Sequence, residues 1–136
     1  MDEVTAHAHA DRLPAKALID SKDYSVPDRP EIVCICGSTR FADQMLAANR
    51  DLTFAGIIVV APGVFTHREP GEKITDDLKA MLDALHLRKI DLADRILVVN
   101  PGGYIGESTS REIAYARATG KLVSFTDGIE EHRRPS

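Results

Sequence analysis

Positive charge is not in excess in this 136-residue chain: 17 lysines and arginines stand against 21 acids, a net charge of −4. The basic footprint that holds duplex nucleic acid is therefore missing, and no nucleic-acid polymer is expected as a partner. A small anion is not excluded, because local donors can hold a phosphate. No apolar run approaches the roughly 20 residues that span a bilayer, so no membrane partner is expected either. The stretch from Met1 to Ala10 has no apolar core and does not read as a signal peptide. Cysteine is scarce. Cys34 and Cys36 are the two in the chain, and they lie two apart in an apolar run. That spacing closes no disulfide framework, so a cytoplasmic location is the expectation. Internal repeats are missing. So are the second and third glycines of a dinucleotide fingerprint and the Gly-Lys-Ser/Thr of a P-loop.

What is present is enough for one domain. Hydrophobic residues make up 43% of the chain, sufficient for a packed core, and charged residues 28%, typical of a soluble surface. Residues 1–29 hold no sustained period and read as a tail or arm, with a short helix over Asp11 to Ile19 and two histidines, His7 and His9. A globular unit is expected over 30–128 and a C-terminal tail over 129–136.

Within that unit the pattern is regular. Glu31-Ile-Val-Cys-Ile-Cys36 is a β-branched apolar run and reads as a buried strand. Ser38-Thr39 then caps a helix expected over Arg40 to Ala55. Ile57 to Val60 is a second strand, followed by a loop from Ala61 to Lys73. A second helix starts at Thr75 and continues past Ile90. Asp94 to Val99, Ser108 to Thr119, and Lys121 to Phe125 give strand, helix and strand. Strands joined by helices require crossovers and hence a parallel sheet. The expected fold class is a small doubly wound α/β domain, Rossmann- or flavodoxin-like, with helices on both faces. Ligands in such sheets sit at the carboxyl ends of the strands.

Three loops leave those ends, and the chemistry-bearing residues fall on them or on the helices they enter. Gly37 permits close backbone approach, Ser38 adds a hydroxyl, and Arg40 a planar cation suited to phosphate or carboxylate. The second loop carries His67 beside Arg68. The third is the richest: Gly106, Ser108, Thr109 and Ser110 surround a helix start whose amides and hydroxyls can receive a phosphate. Glu112 is placed in the first turn of that helix. There it can serve as a nucleophile or stabilise an oxocarbenium-like sugar, or it can be the acid of a Thr109-x-x-Glu112 capping box. Tyr104 is a base-stacking platform or a turn residue. His86 lies near the buried stripe of the second helix, where it either donates a proton or is a hydrogen-bonded core histidine. Asp91 and Asp94 read as capping or pairing groups. Cys34 and Cys36 point the same way along their strand, but a metal would need further ligands there, so they read as core. No metal or cofactor is expected.

Three segments taken together resemble the nucleoside 2-deoxyribosyltransferase superfamily, which includes nucleoside 5′-monophosphate N-glycosidases. They are Cys36-Gly-Ser-Thr-Arg40, the stretch from Leu85 to Asn100 with its Ala93-Asp94-Arg-Ile-Leu-Val-Val, and Gly106-Glu-Ser-Thr-Ser-Arg-Glu-Ile-Ala-Tyr-Ala116. The resemblance covers about residues 31 to 125. It implies Glu112 as nucleophile, Ser108 or Ser110 as phosphate contact, and Ser38 and Arg40 as first-loop contacts. His67-Arg68 is similar to a basic pair of the monophosphate hydrolases. Where many members carry a second-helix aspartate, eight residues before the Ala-Asp aspartate, this chain has His86. The resemblance further implies a nucleoside or nucleotide as small-molecule partner, and a homodimer or higher homo-oligomer. Two other readings stand beside it. Val99-Asn-Pro-Gly-Gly-Tyr104 followed by Glu112 is similar to the signature of cytokinin-activating phosphoribohydrolases. A non-catalytic nucleotide-binding module is the other, and His86 is the residue that favours it.

Overall fold

The computed structural model describes residues 26–63 and 73–128. The helix expected at 11–19, His7, His9, His67 and the tail at 129–136 lie outside the described residues.

Strand β1 (Ile32–Gly37) is followed by a 3-10 turn (Thr39–Phe41) and helix α1 (Ala42–Phe54). Then come β2 (Ile58–Val60), α2 (Asp76–Leu92) and β3 (Arg95–Val99). A second 3-10 turn (Pro101–Gly103) leads to α3 (Glu107–Ala118) and β4 (Leu122–Phe125). The sheet order is β2-β1-β3-β4 and every pairing is parallel. This is a small doubly wound α/β fold.

Its two faces bury different side chains, as the alternation along a strand requires. Cys34, Cys36, Ile96 and Val98 point to one face and meet Ile90 and Ala93 at the end of α2 and Ile113 and Ala116 of α3. Ile35 and Val99 point to the other and meet Met45 of α1. Burying side chains the size of Ile35, Ile90 or Ile96 stabilises the fold by about 1.5–3 kcal/mol each. Among the described residues no helix is long and apolar enough to cross a membrane.

Local chemistry sets the helix ends. The Thr75 hydroxyl accepts the Leu78 N–H at 3.1 Å, and Asp76 and Asp77 occupy the first turn of α2, where the helix dipole favours them. At α1 the expected start at Arg40 is displaced. The Ser38 hydroxyl accepts the Arg40 N–H at 3.3 Å and winds Thr39–Phe41 into a 3-10 turn, so the α-helix proper begins at Ala42. At α3 the shift runs the other way. Extended Gly106 is the N-cap and Glu107 the first helical residue, so Glu112 lies in the second turn, not the first. Thr109 is therefore inside the helix, which rules out the Thr109–Glu112 capping box.

Two features fix the carboxyl ends of β1 and β3. A Cβ on Gly37 would lie 2.8 Å from the Val99 carbonyl oxygen, so only glycine lets the two strands end this close together. Asn100 is fully buried and ties β3 to the end of β4. Its side-chain oxygen accepts the Asp127 N–H at 3.0 Å, its amide donates to the Asp127 carbonyl at 3.3 Å, and its backbone N–H donates to the Thr126 hydroxyl at 3.1 Å.

Candidate functional site

From β1 the chain passes to β2 on one side. It then crosses β1 to reach β3 and β4 on the other side. The crevice between the carboxyl ends of β1 and β3 is thus the switch point at which doubly wound sheets hold ligands. A cleft of about 620 Å³ opens there, bounded by the loops after β1 and β3, by Pro62 and Gly63, and by α2 and the start of α3. That volume suits a small molecule of nucleotide size.

Gly37 and Ser38 form one wall, and Gly106, Ser108, Thr109 and Glu112 the opposite one. The first amides of α3 have no side-chain cap, so their N–H groups belong to this wall and favour an anion. Tyr104 lines the cleft between the two walls. Arg40 does not line it; its guanidinium lies 4.5 Å over the Tyr104 ring. Ser110 is exposed on α3 and also falls outside the lining. Asp91 and Asp94 are remote from the cleft: Asp91 accepts the Tyr115 hydroxyl at 2.7 Å, and Asp94 accepts the Ile32 N–H at 2.8 Å. Their pairing role matches the sequence expectation.

The floor holds a tight polar group. The Glu112 carboxylate is 3.8 Å from His86 Nε2, and their side chains are only 14% and 8% exposed. Around the same nitrogen lie Cys36 Sγ at 3.4 Å and Cys34 Sγ at 3.7 Å, and Cys36 also meets the Glu112 carboxylate. The two cysteines have a partner after all, delivered by α2 from about fifty residues away. Cys34, Cys36 and His86 place their ligand atoms within 4.8 Å of one another.

Burial and mutual contact shift all four groups. A hydrogen bond from Cys36 holds the Cys34 thiol down at about 6, against the opposing effect of burial and with help from His86. Cys36 is pushed well up by the same shared hydrogen bond and by burial, with the charges of Cys34 and Glu112 adding to it. Burial raises the Glu112 carboxyl, and His86 and Cys36 only partly offset it. For His86 burial is the largest single effect and disfavours the cation, yet Cys34 and Glu112 together outweigh it and leave its pKa raised. The shifts run in opposite directions within one contact group: Cys34 loses its proton more readily than an exposed thiol, while Cys36, His86 and Glu112 hold theirs more tightly than exposed groups do.

No family model, curated protein or solved structure matches the chain. What the site can do rests on its own geometry.

Three charged residues of the cleft are not among the sequence candidates: Lys79, Asp83 and Lys89. Lys79 Nζ donates to Asp83 at 2.9 Å and reaches the Ser108 hydroxyl at 3.4 Å, so it sets a cation beside the α3 N-terminus. Lys89 Nζ donates to the Ala61 carbonyl at 2.8 Å and anchors the segment after β2 to α2. The signal was available: 79, 83, 86 and 89 recur at helical steps and share the face that carries His86.

Proposed function

We propose that the protein cleaves or transfers the N-glycosidic bond of a nucleoside 5′-monophosphate, with Glu112 as nucleophile. The observation that carries this reading is the Glu112 carboxylate itself, nearly buried on a helix wall of the cleft and 3.8 Å from a histidine. A carboxylate so held, next to a strand-end phosphate cradle, is what an anomeric carbon developing positive charge requires.

In this reading the 5′-phosphate sits on the α3 amides, the Ser108 hydroxyl and Lys79, with Ser38 on the facing wall. That anchoring aligns the sugar with Glu112. Glu112 Oε attacks the anomeric carbon, the glycosidic bond breaks, and its electron pair leaves with the base, which takes up a proton. His86, 3.8 Å away, favours the ionised carboxylate and partly offsets its burial. Water then releases the sugar phosphate and restores the carboxylate, or a second base takes the sugar. Tyr104 supplies a ring for the base. A homo-oligomer is proposed as the working form: Leu85, which lines the cleft, and Met81 one turn earlier on α2 are exposed apolar residues that a second copy can cover.

The test is a panel of purine and pyrimidine monophosphates and nucleosides, with free base read by chromatography and affinity by calorimetry. Release of base, and tighter binding of monophosphates than of nucleosides, is expected. Binding without turnover across the panel contradicts the enzymatic reading, and equal affinity for both classes contradicts the phosphate cradle. The purine–pyrimidine profile separates this activity from that of cytokinin-activating phosphoribohydrolases.

A further inference from the structure

The glycosidic reading leaves Cys34 and Cys36 without a role, although both are free, fully buried and turned toward a catalytic candidate. We propose that Cys34, Cys36 and His86 form a three-ligand zinc site whose fourth position opens toward Glu112 and the cleft. This inference does not rest on the glycosidic reading.

The geometry is the first argument. Zinc bonds of about 2.3 Å to sulfur and about 2.0–2.1 Å to imidazole nitrogen, at tetrahedral angles, set sulfur–nitrogen edges of about 3.6 Å. The two edges here measure 3.4 and 3.7 Å. The three ligand atoms all lie within 4.8 Å of one another, and bonds of about 2.3 Å at tetrahedral angles require the two sulfurs to sit about 3.8 Å apart in the loaded site.

Donor chemistry is the second. Two thiolates and an imidazole form the soft, tetrahedral set that selects zinc over magnesium or calcium. Two thiolates also neutralise a dication, so the loaded centre adds no net charge to a buried location. Presentation is the third. The Cys-x-Cys spacing on β1 turns both sulfurs to the same face, and α2 brings His86 over them from the cleft side. The ligands are therefore held by a strand and a helix rather than by loops, which preserves their geometry without the metal. The fourth direction faces the cleft beside Glu112, whose carboxylate is 3.8 Å from the His86 nitrogen. Three protein ligands with one open position is the arrangement of catalytic rather than structural zinc.

The experiment titrates the full chain, freed of metal by chelator, with cobalt(II) and then zinc(II). The expected result is one cobalt per chain, with sulfur-to-cobalt charge-transfer absorption and the intense visible bands of tetrahedral cobalt, all displaced by one equivalent of zinc. Cys34→Ser and Cys36→Ser should each weaken binding by at least about 100-fold, more than loss of an outer-shell contact does. Glu112→Gln should still bind one metal with the charge-transfer band intact. Circular dichroism checks that the serine variants fold; if they do not, the wild-type spectrum decides alone. No saturable binding, or a weak octahedral cobalt spectrum without the sulfur band, overturns the site. So does a stoichiometry or affinity unchanged in the folded cysteine variants. Because no readout involves turnover, the zinc site and the glycosidic activity fail independently.

Discussion

The two ends of the sheet use charge in opposite ways. At the amino ends the charges close on one another. Arg95 meets Glu31 at 2.8 Å, Arg29 meets Asp94 at 3.4 Å, and Lys121 Nζ donates to the Ala93 carbonyl at 2.7 Å. The Ile32 N–H pulls the Asp94 carboxyl below its ordinary range, helped by Arg29, so ionisation there supports the fold. At the carboxyl ends the charges face a cavity. Burial raises Glu112, so its ionised form works against the fold. The lesson is physical: Asp94 is solvated and satisfied by its neighbours, whereas Glu112 is buried at a cost that His86 and Cys36 only partly offset.

That contrast can be broken in several ways. The largest effect belongs to Glu112→Ala, expected to lower base release on the order of 10³-fold or more. Asp94→Asn should leave base release unchanged in the same assay, and a comparable loss in both would erase the distinction between the ends. Next comes Lys79→Ala. Losing one charged contact should raise KM for monophosphates roughly tenfold and leave KM for nucleosides alone. A parallel rise for both shows that Lys79 does not read the phosphate.

Stability gives the smaller effects, and here the signs should differ. Folded protein holds the Glu112 proton at pH values where the unfolded chain has lost it. The stability this group contributes is complete below its unfolded pKa and is lost as pH rises through the folded one. Glu112→Gln removes that slope and should melt a few degrees higher than wild type at pH 7, with the gap closing in acid. Asp94 runs the other way: its contribution is present above the unfolded pKa and is lost as pH falls through the lowered folded one. Asp94→Asn should therefore lower Tm at pH 7, by less than Glu112→Gln raises it, because Asp94 is partly exposed to solvent. Thermal melts between pH 4 and 8 check both, and shifts of the same sign contradict the comparison.

Much of this architecture is legible in the residues. The β-branched runs at Ile32–Cys36 and Arg95–Val99 report strands buried on both faces, and Thr75-Asp76-Asp77 announces a helix start. The parallel order follows from the alternation of strands and helices. The position of Glu112 on a strand-end helix was also readable, but its turn was not. Gly106, without a side chain, takes the capping position that the Thr109–Glu112 box suggested for Thr109. The polar floor was hidden for another reason. His86 joins Cys34 and Cys36 across fifty residues of chain, and local spacing carries no record of such a contact. The same holds for Asn100, whose partners Thr126 and Asp127 become neighbours only when β3 and β4 pair. Lys79 and Asp83 stand at helical steps before His86, so their place on its face is legible in the spacing, but the contact of Lys79 with Ser108 is not, because it joins two helices.

The central claim is that Glu112 forms a bond to the sugar. Its most direct test is the stereochemistry of methanol trapping, followed by NMR during cleavage of a nucleoside 5′-monophosphate. Attack by a protein carboxylate followed by a second displacement returns the original anomeric configuration. The account predicts a methyl glycoside phosphate of retained configuration from wild type and none from Glu112→Ala. A product of inverted configuration, or a retained product formed equally well without Glu112, contradicts it.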